Sequence, residues 1–267
     1  MLSYSERSQK IKHPIAKKIL EIVEAKQTNL VLAADVNTSA ELLHLAETVG
    51  PHIAVLKTHL EITEDWTPGL GEKLKAIAQK HNFLIFEDRK LADIGNTMVM
   101  QYENSVFEIS KWADVINVHP IVGIPSIKVL AERTSANNCG LLLLAELSVA
   151  GNLTDDIYKQ KSAAMAAELT DSVTGFISRG AFPGSENFLI LTPGVKLEAD
   201  PPSPKGFGEA STDGKGQQYL TPTTAIAGGS DLIIVGRGII QATDPVATAI
   251  EYEKAGWNAY QNLLIQN

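Results

Sequence analysis

Phe83-Leu84-Ile85-Phe86 is an apolar run that leads directly into Glu87-Asp88-Arg89-Lys90-Leu91-Ala92-Asp93-Ile94-Gly95-Asn96-Thr97. A short continuous apolar run reads as a strand buried on both faces, which is the condition of a strand in a parallel sheet. Charges at the end of such a strand cost desolvation free energy unless they neutralise one another or perform chemistry. Ile94-Gly95-Asn96 then leads into a helix-like stretch, so the unit is a buried strand, a charged end and a helix.

The same unit recurs. Apolar, β-branched or Leu-rich runs stand at residues 30–34, 53–56, 83–86, 115–118, 141–145, 173–177, 188–191 and 232–235. Between them lie helix-like stretches such as residues 39–49, 96–111, 157–170 and 245–264, opened by capping residues or Pro. Eight βα units in about 250 residues predict a closed (β/α)8 TIM barrel rather than an open doubly wound sheet. The length is that of one barrel, so a single domain over residues 1–267 is expected. Residues 196–216, KLEADPPSPKGFGEASTDGKG, break the rhythm with four Gly and three Pro. They read either as a surface insertion or as a lid over the barrel mouth.

Composition narrows the partners. The net charge is -8 and Lys and Arg form no cluster, which argues against a nucleic-acid partner. A small anionic substrate is compatible with that charge, because a few local cations suffice to bind it. The chain has one cysteine, Cys139, which permits no internal disulfide and reads as a small buried residue. The N-terminal stretch has no apolar signal region and no apolar run approaches membrane-spanning length, so a cytoplasmic protein with no membrane partner is expected. The six histidines show no metal-ligand spacing, and no metal is expected.

Active sites of (β/α)8 barrels collect at the C-terminal ends of the strands, and those positions are polar here. The runs end in turn at Asp35, at Lys57 and His59, at Asp88 and Lys90, at Asn117 and His119, at Glu146 and Ser148, at Thr192-Pro193-Gly194, and at Gly236-Arg237-Gly238. Asp88 and Lys90 are two apart, so on an extended backbone they point to one side and can touch. Asp93 lies three further on and faces either this site or a neighbouring chain. Lys90 thus sits between two acids, which keep it as ammonium. A Schiff-base nucleophile needs the neutral amine, so Lys90 reads as a proton donor. Gly236-Arg237-Gly238 reads as a phosphate site or an ordinary turn, and its place after the last strand favours the first.

DRKLADIGNT, with LKTH at Lys57, LAELS at Ser148, LTPGV at Pro193, GQQY at Gln217 and IIVGRG at Arg237, closely resembles the orotidine 5'-monophosphate decarboxylase family, particularly its monofunctional fungal form. The resemblance runs in order from about Thr28 to Lys254-Ala255-Gly256-Trp257. It implies a (β/α)8 homodimer that converts orotidine 5'-monophosphate to UMP and CO2 without a cofactor, the last step of de novo UMP synthesis. No phosphoribosyltransferase-like region precedes it, so the decarboxylase alone is expected. The resemblance makes Lys57, Asp88, Lys90 and Asp93 the charged network, with Asp93, Ile94 and Thr97 reaching the partner subunit's site. It gives Asp35 and Lys57 the ribose hydroxyls, Ser148 the pyrimidine edge and Pro193 a wall of the base pocket. Gln217, Tyr219, Gly236 and Arg237 would grip the phosphate and close the lid. Departures from the family pattern are Ala33, where Ser is frequent, the wording HPIVGIP from His119, and a longer, Pro-rich lid segment. The competing readings are another decarboxylase or aldolase on a phosphate-binding barrel, metal-dependent or not, and a binding protein that has kept the fold.

Overall fold

The structure, a computed structural model, describes residues 2–197, 211–212 and 216–266. Its strands are Leu30–Ala33 (β1), Val55–Thr58 (β2), Leu84–Leu91 (β3), Val115–Val118 (β4), Gly140–Leu144 (β5), Val173–Ile177 (β6), Leu189–Pro193 (β7), the two-residue pieces Ser211–Thr212 (β8) and Gln218–Tyr219 (β9), and Leu232–Val235 (β10). Eight of them close into a barrel in the order β1-β10-β7-β6-β5-β4-β3-β2. Every pairing in it is parallel, while β8 and β9 form a small antiparallel pair. The expected TIM barrel is the fold observed.

The apolar runs explain the closure. All positions of β1, β2, β4, β5, β6 and β10 are buried, so each strand needs cover on both faces, which the barrel interior and the outer helices supply. At Gly175 a Cβ would run into the backbone carbonyl of Leu189, so the close approach of β6 to β7 depends on the missing side chain. The helix Ser39–Val49 shows how the outer layer is specified. Thr38 caps it by accepting from the Glu41 amide, and Leu42, Leu45, Ala46 and Val49 form its buried stripe. At the N-terminal end of the barrel, the Tyr4 ring stacks on Tyr260 at 4.0 Å and its hydroxyl donates to the Asp231 carbonyl at 2.8 Å. No helix among the described residues is long and apolar enough to cross a membrane.

Three expectations need correction or bounds. The third strand does not stop at Phe86 but runs through the charged residues to Leu91, with a register shift against β4 between Glu87 and Leu91. The helix expected over residues 96–111 is Gly95–Glu103 followed by a separate single turn, Ile109–Lys111. Asn104 and Ser105 are poor helix formers, and Glu108 takes a left-handed backbone (φ 45°), which lets the Trp112 indole donate to the Phe107 carbonyl at 2.8 Å. Residues 198–210 and 213–215 lie outside the described residues, and with them most of the segment read as a lid.

Candidate active site

β3 delivers Asp88 to the barrel mouth as a buried carboxylate, where one oxygen gathers cations from two strands. Asp88 Oδ2 lies 2.8 Å from Lys57 Nζ, 2.7 Å from Lys90 Nζ and 3.1 Å from His59 Nε2. Lys57 Nζ also lies 3.5 Å from Asp35 Oδ1, so the chain of charges runs from β1 to β3. The other oxygen, Asp88 Oδ1, accepts from Asn117 Nδ2 at 2.6 Å.

Asp88 and Lys90 meet as the spacing predicts, but not along a plain extended strand. Lys90 has φ 50°, in the left-handed region. Asn117 on β4 accepts from the Lys90 amide at 2.6 Å while donating to Asp88, so one amide side chain clamps both ends of the irregularity. The bulge re-aims the Lys90 side chain, a common use of bulges beside active sites.

The electrostatics follow from this crowding. Burial alone would push the Asp88 carboxyl up, but Lys57, the His59 hydrogen bond and Lys90 together hold it well below the usual carboxylate range. Burial likewise opposes the Lys57 charge, and Asp88 and Asp35 outweigh it, raising the ammonium above the usual lysine range. Glu87, the neighbour of Asp88, is held instead by Thr58 and the Leu60 amide. Burial pushes its carboxyl up to about 8, although Thr58 Oγ1 donates to it at 2.6 Å.

These charges line a cavity of about 360 Å³ at the C-terminal mouth of the barrel. Asp35, Lys57, Asp88, Lys90, Ser148, Pro193, Gln217, Tyr219, Gly236 and Arg237 all line it. Asp93, Ile94 and Thr97 do not. Asp93 is exposed, its carboxylate accepts from the Ile94 amide at 2.7 Å, and the Ile94 side chain is 67% exposed. In the same cavity, Arg237 NH2 donates to the Tyr219 hydroxyl at 2.6 Å and Lys196 Nζ stands 3.8 Å from the centre of the Tyr219 ring. Gln217 Nε2 donates to Ser148 Oγ at 2.8 Å, which ties the segment entering β9 to the loop after β5. Gly194, at φ 74°, leaves room for that Gln217 side chain.

Sequence reasoning noted His59, Asn117 and Glu146 as strand-end residues without giving them a part, and it named nothing after β6. Ser178 Oγ and the Arg179 amide there donate to Glu146 at 3.1 and 3.0 Å, which fixes a wall of the cavity. The signal available for His59 was its place two residues after Lys57. Lys196 was counted with the loop, although its amide is bound to the Leu220 carbonyl at 2.9 Å. Among the described residues, no group of three or more His, Cys, Asp or Glu side chains is arranged to hold a metal ion.

The chain is 43% identical over 268 residues to the orotidine 5'-phosphate decarboxylase of Schizosaccharomyces pombe, covering 99% of this chain and 97% of that protein. It is 46% identical over 263 residues to the orotidine 5'-phosphate decarboxylase of Phycomyces blakesleeanus, covering 97% and 94%. In fold it resembles the orotidine 5'-monophosphate decarboxylase of Methanocaldococcus jannaschii solved with the inhibitor BMP, with TM-score 0.65 at 22% identity over 85% of this chain and 98% of that one. Residues 28–252 match the model of the family described as orotidine 5'-phosphate decarboxylase / HUMPS. With near full-length identity to fungal members and the charged cluster at the mouth of the barrel, this chain belongs to the orotidine 5'-phosphate decarboxylase / HUMPS family.

Proposed function

We propose that this protein converts orotidine 5'-monophosphate to UMP and CO2 and so completes UMP synthesis. The observation that carries the reading is the Asp88 carboxylate held between the Lys57 and Lys90 ammonium groups, in a cavity that Arg237 and Tyr219 also line. Breaking the bond between C6 and the carboxylate leaves an electron pair in the plane of the pyrimidine, where the ring π system cannot absorb it. Fixed charge is then the available stabiliser. The Lys90 ammonium faces the developing carbanion and delivers its proton to C6. Asp88 holds that ammonium in place and lies against the departing carboxylate. Asp35 and Lys57 suit the ribose hydroxyls, Ser148 the pyrimidine edge and Pro193 the base pocket. Gln217, Tyr219, Gly236 and Arg237 suit the phosphate, whose binding energy is used remotely from C6.

The active form in this reading is a homodimer in the cytoplasm, with Asp93, Ile94 and Thr97 completing the site of the neighbouring subunit. Support comes from position. Ile94, Ile121 and Leu153 follow the adjacent strands β3, β4 and β5, and their side chains are 67, 76 and 91% exposed. Asp93, itself exposed, directly precedes the first of these residues. The function is tested by following the ultraviolet absorbance of orotidine 5'-monophosphate with the purified protein, with and without a chelator. Loss of substrate at an unchanged rate in chelator is expected. No loss of substrate would contradict the reading, and loss abolished by chelator would favour a metal-dependent decarboxylase.

A further inference from the structure

His59 follows β2 with both ring nitrogens against carboxylates. Nε2 lies 3.1 Å from Asp88 Oδ2 and Nδ1 lies 2.9 Å from Glu61 Oε1. A carboxylate only accepts hydrogen bonds, and a neutral imidazole has a single N–H to give. Two such contacts are satisfied together only when the ring carries both protons. Glu61 sits at the outer edge of this arrangement, its side chain 31% exposed against 18% for His59 and 6% for Asp88, so the three acids and bases form a ladder from solvent into the site.

We propose that Glu61 and His59 act as a positioning pair, an imidazolium clamped between two carboxylates that fixes the Asp88 oxygen against which Lys90 is held. The inference rests on the decarboxylase reading above. His59 touches no reacting atom in this account and acts through Asp88. Without it, Asp88 Oδ2 keeps the two lysines, whose flexible stems fix its direction less well than a planar ring anchored at both nitrogens. The charges that act on the ring are Asp88 and Glu61, which it contacts, Lys57 on its own strand and Glu87 on β3, while Lys90 and His119 stand near Asp88 and Asp35 stands near Lys57. Partial burial disfavours the imidazolium, and the hydrogen bonds to Asp88 and Glu61 outweigh it, so the ring titrates above its ordinary value. Partial burial also works against the Glu61 carboxylate, yet the His59 hydrogen bond holds it down to about 2.

The test uses two variants of the full chain and two readouts. His59→Asn keeps a polar side chain and removes the charge. It is expected to lower kcat/KM for orotidine 5'-monophosphate roughly 10- to 100-fold and to abolish whatever basic limb the ring contributes to the pH profile. Glu61→Gln, at the exposed edge of the ladder, removes one of the two carboxylates. It should move the basic limb to lower pH while the plateau rate at lower pH stays within a few-fold of the parent. The second readout is the NMR titration of the His59 ring in the free protein, above the ordinary histidine value in the parent and lower in Glu61→Gln. That titration needs no turnover, so it tests the clamp even if the substrate assignment fails. A ring that titrates at the same pH in parent and Glu61→Gln would overturn the clamp. A clamp present by NMR, with unchanged kcat/KM and pH profile in His59→Asn, would overturn its positioning role.

Discussion

Lys90 combines an unusual backbone with a half-buried ammonium, tied to Asp88 at 2.7 Å while its side chain remains 35% accessible. In the proposed reaction, Lys90→Ala removes the charge that stabilises the carbanion and leaves product contacts in place. Turnover should fall by several orders of magnitude while UMP binding stays measurable by calorimetry, and near-normal turnover would remove Lys90 from the proton-donor role. Arg237→Ala should lower kcat/KM far more for the nucleotide than for the phosphate-free nucleoside, since the guanidinium acts through the phosphate. Equal losses would place Arg237 outside the phosphate site. Glu87 gives a stability prediction with a definite sign. Its folded carboxyl titrates at about 8 against an ordinary 4.5, so between those values the folded chain keeps a proton that the unfolded chain has released. The stabilisation is complete below about 4.5 and is lost as pH rises through about 8. Glu87→Gln should therefore flatten the decline in unfolding free energy over that window, by on the order of 2–4 kcal/mol, in denaturant melts at a series of pH values. Asp88 and Lys90 were legible in sequence because a two-residue spacing at a strand end is a local pattern. The left-handed turn at Lys90 was not, because it depends on Asn117, a residue 27 positions later that only the fold brings near.

Elements were readable where their signals are local, and misread where a break depends on tertiary contacts. The helix Ser39–Val49 has its cap and its stripe written in consecutive residues, and it was placed correctly. The stretch after Glu103 was read as a continuing helix, yet Asn104 and Ser105 are poor helix formers, Trp112 finds its partner by folding back, and the helix ends early. Another contact of this kind joins elements at the N-terminal end of the barrel. Lys26 closes the helix Pro14–Lys26, and its Nζ lies 2.8, 2.6, 2.9 and 3.2 Å from the carbonyl oxygens of Gly50, Ile53, His81 and Asn82, so its three N–H groups are shared among four acceptors. One ammonium thus satisfies the carbonyl ends of two further helical segments. Lys26→Met keeps the stem and removes the donors, and should cost about 2–3 kcal/mol in chemical denaturation with little change in kcat. A variant as stable as the parent would show that water replaces the ammonium freely.

At the scale of the molecule, eight buried strands with charged ends dictate both the barrel and the position of its site, which is why fold and site were legible together. Asp93 is exposed and lies outside the cavity of its own chain. The central claim is that one charged strand end serves two sites, Lys90 its own and Asp93 its partner's. Lys90→Ala and Asp93→Ala homodimers should each be severely impaired. When the two are mixed and allowed to exchange subunits, each mixed dimer has one site with both lesions and one with neither. With random exchange, turnover of orotidine 5'-monophosphate should recover to about a quarter of the parent value. Verified exchange with no recovery would contradict the claim and leave Lys90 and Asp93 serving the site of a single chain.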